Sequence, residues 1–151
     1  MAVGPFLSHD VGFNEQIRGD VDFLASGVAA VLVTTTHTPD RAADTQYSHI
    51  STNESADVDY SAQALGTKTI AVEATRVRFN CGKITFTASG DVTGRYLYLV
   101  YGTAASLVAG DRILGHIDLT GGGNASSINA EFSFTPHANG LFEITRTAAP
   151  A

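Results

Sequence analysis

His116 and Asp118 stand two residues apart in Ile113-Leu114-Gly115-His116-Ile117-Asp118-Leu119. On a strand this spacing puts both on one face, where a carboxylate could orient an imidazole for base catalysis or the two could bind a metal. Base catalysis also needs a nucleophile or a substrate pocket, and the chain has no Gly-x-Ser-x-Gly elbow, His-Glu-x-x-His pair or Walker loop. The pair is therefore read as outward polar positions on a half-exposed strand. Glu54, Asp57 and Asp59 offer carboxylates to a hard cation, but calcium takes six or more oxygens and the glycine of the familiar calcium loop is missing. Solvated loop charge is the preferred reading. His9, His37 and His49 are scattered through polar segments and read as exposed turn histidines. Glu131 and Glu143 would suit glycoside hydrolysis if adjacent strands set them across a cleft, yet glutamates on an outward hairpin face are commonplace. No catalytic residue, metal or cofactor is expected.

Other suggestive patterns have structural explanations. Gly121-Gly122-Gly123 lacks the strand-loop-helix context in which glycine loops hold phosphate, so it reads as a turn. Asn53-Glu54-Ser55 and Asn124-Ala125-Ser126 match the glycosylation triplet. The opening Met1-Ala2-Val3-Gly4-Pro5 carries no basic and apolar export signal, so both triplets are taken as coincidences and folding in the cytoplasm is expected. Tyr96, Tyr98 and Tyr101 beside Arg95 could stack nucleic-acid bases, but the acidic balance favours core packing.

The elements that must position these residues are mostly short strands. Residues 28–33 are apolar and β-branched, a strand buried on both faces, although their alanines also allow a helix. A polar tract over 34–67 follows, long enough to suggest a working loop. Residues 69–74 and 77–81 alternate with a phase break at 74–76, which predicts two short strands. Residues 83–88 predict a strand, 89–94 a turn and 95–101 a central strand with Tyr96 and Tyr98 on one face and Leu97 and Leu99 on the other. Residues 113–119 form another strand. Residues 128–134 and 141–145 read as a terminal hairpin around a turn at 136–140. Before residue 27 there is no clean period: a helix over 14–24 capped by Asn14, or an arm, fits equally. The fold class expected is all-β, an antiparallel β-sandwich over residues 27–151 with an arm or short helix over 1–26.

Composition narrows the function classes. With 151 residues the chain can bury roughly 70% of its unfolded surface in one domain, and no run approaches the ~20 apolar residues of a membrane span. A single cysteine, Cys81, cannot form an intrachain disulfide or a cysteine-rich metal site. Charged residues are only 16%, below the ~25% usual in globular domains. The balance is uneven, with 3 basic and 10 acidic residues in 1–75 against 6 and 5 in 76–151, for a net charge of -6. That argues against nucleic acid, whose phosphates demand cations. Sparse charge also suits a surface that faces other protein subunits.

The order of pieces over 27–146 resembles small virion structural proteins of tailed bacteriophages, the head decoration or cement proteins. The resemblance rests on Thr36-His37-Thr38-Pro39-Asp40-Arg41-Ala42-Ala43-Asp44 and Ile50-Ser51-Thr52-Asn53-Glu54 in the polar loop. Further along it rests on Ile84-Thr85-Phe86-Thr87-Ala88-Ser89-Gly90, Arg95-Tyr96-Leu97-Tyr98-Leu99-Val100-Tyr101, residues 113–119 and Asn139-Gly140-Leu141-Phe142-Glu143-Ile144-Thr145. These motifs are structural, not catalytic. Asp59-Tyr60 replaces the Gly-Tyr usual after the loop, and the first residues differ from the family's.

The resemblance implies a non-enzymatic protein on the capsid exterior, bound to the major capsid protein, homo-oligomeric and favouring trimers at threefold positions. Neither membrane nor nucleic acid is an expected partner. The arm and the 34–67 loop are the expected contacts, through Phe6, Leu7, Phe13, His37, Pro39 and Asp40. Removal of residues 2–24 should then free the protein from capsids without unfolding it. The alternatives are a tail or fibre component that touches the host, and a carbohydrate-active enzyme on a sandwich.

Overall fold

The computed structural model describes residues 4–24, 27–138 and 140–145. The ends of the expected arm and Asn139 of the expected turn lie outside them. In chain order the elements are β1 (Phe6–Ser8), α1 (Asp10–Arg18), β2 (Val28–Val33), β3 (Gln63–Ala64), β4 (Thr69–Val72), β5 (Arg76–Asn80), β6 (Ile84–Gly94), β7 (Tyr96–Tyr101), β8 (Arg112–Asp118), β9 (Ala125–Phe134) and β10 (Phe142–Thr145). The protein is all-β and antiparallel; among the described residues its strands form three sheets ordered β1-β8-β7-β2-β3, β10-β5-β4 and β6-β9. Among the described residues no helix is long and apolar enough to cross a membrane.

The five-stranded sheet is apolar on both faces, which is why β2 and β7 read as nearly continuous hydrophobic runs. One face carries Leu32, Leu97, Leu99 and Ile117, packed with Phe23 and with Ile84, Phe86 and Val92 of β6. The other carries Val31, Val33, Tyr96, Tyr98 and Ile113, packed with Ile50 and Tyr47 of the long loop. The loop is thus a lid on the core. Two short 3-10 turns, Tyr47–His49 and Ser51–Asn53, shape it.

Four expectations are corrected. The helix is Asp10–Arg18, not 14–24; Gly19, left-handed at φ 80, ends it where an L side chain would be strained. The turn expected over 89–94 is instead the second half of β6, whose pairing with β9 shifts register three times; these irregularities mask the alternation. The terminal hairpin does not form: β9 pairs with β6, while β10 joins β5, where Phe142 stacks on Phe79 with centroids 4.5 Å apart. Finally, β8 carries a bulge opposite Leu99 and Val100, so that Ile113 and Ile117 face opposite cores although their spacing predicts one face.

Residues 4–24 are built into the fold. β1 is an edge strand of the five-stranded sheet, paired with β8 through Phe6 and Ile117, Leu7 and His116, and Ser8 and Gly115. α1 presses on β8 so closely that a Cβ on Gly12 would lie 2.5 Å from the Ile113 carbonyl oxygen. The Phe23 side chain is buried in the main core.

Candidate functional site

The chemistry-bearing side chains gather on the tyrosine face of the five-stranded sheet. His9 follows β1 at the start of α1; its N–H donates to the Leu114 carbonyl at 3.0 Å and its side chain is fully buried. Its Nδ1 lies 2.9 Å from the Asp44 backbone oxygen and its Nε2 2.9 Å from His116 Nδ1. A carbonyl only accepts, so His9 Nδ1 carries a hydrogen. With His9 neutral, its Nε2 is the acceptor and His116 Nδ1 the donor.

Asp44 is the hub. Its buried carboxylate accepts from His37 Nε2 at 2.8 Å, from the Asp40 N–H at 2.9 Å and from the Tyr98 hydroxyl at 3.3 Å. Asp40 in turn accepts from the N–H groups of Ala42 and Ala43, a side-chain-capped turn that aims Asp44 inward. His116 stacks on the Tyr98 ring with centroids 5.3 Å apart, while His9 meets both rings edge-on.

Burial sets the electrostatics. It lowers the His9 pKa more than the Asp44 carbonyl and charge raise it. It likewise lowers His116, to about 4, with the neighbouring His9 adding to the effect. Burial and the Asp44 carboxylate together push the Tyr98 hydroxyl up. At the strand's end, partial burial would raise Asp118, but Arg95 and the Thr120 and Gly121 N–H groups hold it down at about 2. Burial thus keeps His9 and His116 uncharged at neutral pH, and the hydrogen bonds of His9, Asp44 and Tyr98 are directed within the cluster.

The structure therefore corrects the reading of these histidines as exposed. His9 and His116 are buried and His37 nearly so, because the arm and the 36–45 turn close over a face that β8 alone would leave open. His49 is exposed, as expected, its Nδ1 accepting from the Thr45 N–H. The one signal in the sequence is the alternating tyrosine pair on the central strand, whose buried hydroxyl needs a partner; nothing local marks Asp44 as that partner.

The carboxylates considered for a cation point apart. Glu54 accepts from the hydroxyls of Tyr47 and Tyr60. Asp57 accepts from Ser55 Oγ at 3.0 Å, and Asp59 from the Asp91 N–H at 3.0 Å. Among the described residues no three histidine, cysteine, aspartate or glutamate side chains are gathered to hold a metal ion. Glu131 and Glu143 fall in different sheets, paired with Lys83 at 2.5 Å and Arg76 at 3.1 Å, so adjacent strands do not bring them together.

The residues expected to make contacts divide. The Phe6 ring is half-buried and stacks on Phe142 at 4.7 Å, and His37 binds Asp44. Pro39 is half-buried, Asp40 lies exposed in its turn, and Leu7 and Phe13 are exposed.

A second feature escaped the sequence. On the β10-β5-β4 sheet, register lines up Ile70, Phe79 and Phe142 in one row and Val72, Val77 and Ile144 in the next, all on one face. The first row is covered by Phe6 and Phe23 at its phenylalanine end, whereas Val72 is 75% and Ile144 46% exposed. Exposed Phe13 and Ile17 of α1 extend this face across a cleft of about 200 Å³. The reverse face carries a charged lattice in which Glu73 binds Arg76 and Arg78, and Arg76 also binds Glu143.

Compared with protein-family models, with curated proteins and with solved structures, the chain matches none of them.

Proposed function

We propose that this chain is a non-enzymatic structural subunit that docks on a larger protein assembly. Following the resemblance of its loop and strand motifs, we take that assembly to be the head of a tailed bacteriophage and the partner its major capsid protein. The observation that carries the docking is the half-covered apolar face of the β10-β5-β4 sheet with Phe13 and Ile17 beside it. Scattered exposed apolar residues are ordinary, but a register-aligned row continuous with the core resembles an interface cut open. The polar lattice on the reverse face leaves the sheet only one adhesive side.

The buried histidine cluster supports the same reading from another direction, because its hydrogen bonds are directed at one another. The work is mechanical. A protein that binds an assembled lattice and not its separated subunits stabilises the lattice by mass action, and many copies, or a trimer at a threefold position, multiply a modest contact.

Because Phe23 and His9 are core residues, removing residues 2–24 would damage the fold, so point changes on the apolar face are the cleaner probe. The experiment is co-sedimentation of purified protein with capsids, with immunogold labelling of particles. Dense label over the head, lost in a Val72→Asp, Ile144→Asp double variant that still folds, is the expected result. Label confined to the tail, or undiminished binding by that variant, would overturn the reading.

A further inference from the structure

We propose that the His9–His116 pair is an acid-operated latch for the N-terminal arm: the pair keeps β1 and α1 seated on β8 while it holds at most one added proton, and lets them go when both imidazoles are protonated. Hydrogen counting sets the limit. His9 Nδ1 must donate to the Asp44 carbonyl, so the 2.9 Å contact between His9 Nε2 and His116 Nδ1 holds one hydrogen between two nitrogens. One extra proton can settle on His116 Nε2 with every bond kept. A second must go to His9 Nε2, where it faces the hydrogen on His116 Nδ1. Two N–H groups and two positive charges then oppose each other at hydrogen-bond distance inside the protein.

The surroundings do not relieve that repulsion. Asp10 of α1 and Asp44 of the turn attract protons to His9, while Arg41 of the same turn opposes them. Around His116, Asp44 and Asp118 attract and Arg41 opposes, but Asp118 is already bound to Arg95 at 2.8 Å. Asp44 is shared among His37, the Asp40 N–H and the Tyr98 hydroxyl. From β7 the facing groups are the hydroxyl-bearing rings of Tyr96 and Tyr98. Burial further disfavours charge on both imidazoles.

The segment released is β1 with α1, residues 6–18, while Phe23 beyond it stays in the core. Besides the three-residue β1–β8 ladder, it is held by the Gly4 N–H on the Asp118 carbonyl at 2.8 Å, the His9 N–H on the Leu114 carbonyl, the Asp10 N–H on the Arg41 carbonyl at 3.1 Å, Arg41 Nε on the Ser8 carbonyl at 2.6 Å, the Phe6–Phe142 stack and a half-exposed Glu15–Arg112 ion pair at 3.0 Å. Exposed ion pairs contribute little. Phe6 rests directly against Gly115, so a small displacement of β1 breaks that packing outright. Release bares the β8 edge at Gly115–Ile117, leaving its backbone groups open to another strand.

The test is amide hydrogen exchange of the full chain between pH 7.5 and 3, expressed as protection factors, with histidine ring titration by NMR in the same samples. Protection of the His9 and Phe13 amides should fall at least tenfold in acid while Val31 and Leu99 stay protected, and the fall should coincide with the second protonation of the pair. In His116→Asn a neutral amide stands near the Nδ1 position and can turn its oxygen to a protonated His9, so the acid loss of arm protection should vanish or move down by more than half a pH unit. Arm amides equally protected at both ends of the range, arm and core lost together, or an unchanged midpoint in His116→Asn would each overturn the latch. Should that variant fail to fold, the wild-type titration decides: arm release before either ring protonates also overturns it.

Discussion

Gly115 of β8 lies directly beneath the Phe6 ring of β1, so that a Cβ on it would stand 2.4 Å from Phe6 Cζ and 2.6 Å from the Leu7 carbonyl oxygen. One neighbour is a ring wedged against Phe142 and the other is backbone, so neither yields easily. Gly115→Ala is expected to cost about 2–3 kcal/mol, in the range of core overpacking. Urea unfolding measures it; a loss below about 0.5 kcal/mol would mean that β1 adjusts freely.

Tyr60 supplies part of the sheet's hydrogen bonding. Beyond its two-residue pairing with β3, β2 turns the Leu32 N–H toward the Tyr60 hydroxyl at 3.0 Å, and the Ser55 N–H takes the Leu32 carbonyl. Tyr60→Phe strands that buried N–H and frees one Glu54 oxygen, at an expected cost of about 1–3 kcal/mol. Equal denaturation midpoints for the variant and the parent would rule this out.

Stability should fall on acidification through the histidine pair. His116 binds its proton near pH 6.5 when unfolded and only at about 4 when folded, so between those values the unfolded chain holds more protons. The contribution is complete above pH 6.5 and is lost progressively down to about pH 4, on the order of 2 kcal/mol once partial solvent screening is allowed for. Urea midpoints taken at half-unit steps should trace this slope, and His116→Asn should flatten it.

Docking and folding should separate on the sheet's outer rows. Val72 is 75% exposed, so Val72→Thr is expected to shift stability by less than about 0.5 kcal/mol. If the proposed docking holds, the same change should weaken co-sedimentation with capsids. A large stability loss would place Val72 in the core instead.

Cys81 should be inert in the native protein. Burial pushes its thiol up to about 11, against which nearby Lys68 works only weakly. Modification by a thiol reagent at pH 8 should be slow and should become fast on adding urea; rapid native labelling would contradict the packing described.

The central strands were legible because their signal is local. β2 and β7 are buried on both faces, so burial appears as an apolar run, and the β4–β5 break appears as a change of phase at residues 74–76. The β9–β10 hairpin misled because proximity in sequence favours local pairing, while Phe142 and Leu141 bury more by joining Phe79. The bulge in β8 could not be read from alternation, since the extra residue is defined only by the partner strand.

Amino-acid order alone determined the all-β class, the place of the tyrosine strand and the scarcity of charge, because alternation, β-branching and composition belong to short segments. Tertiary structure alone decided that His9, Asp44 and His116 meet across 107 residues of chain. It also decided that one row of a small sheet stays bare. Both follow from which surfaces close over which, and burial is a property of the assembled neighbours rather than of the residue itself.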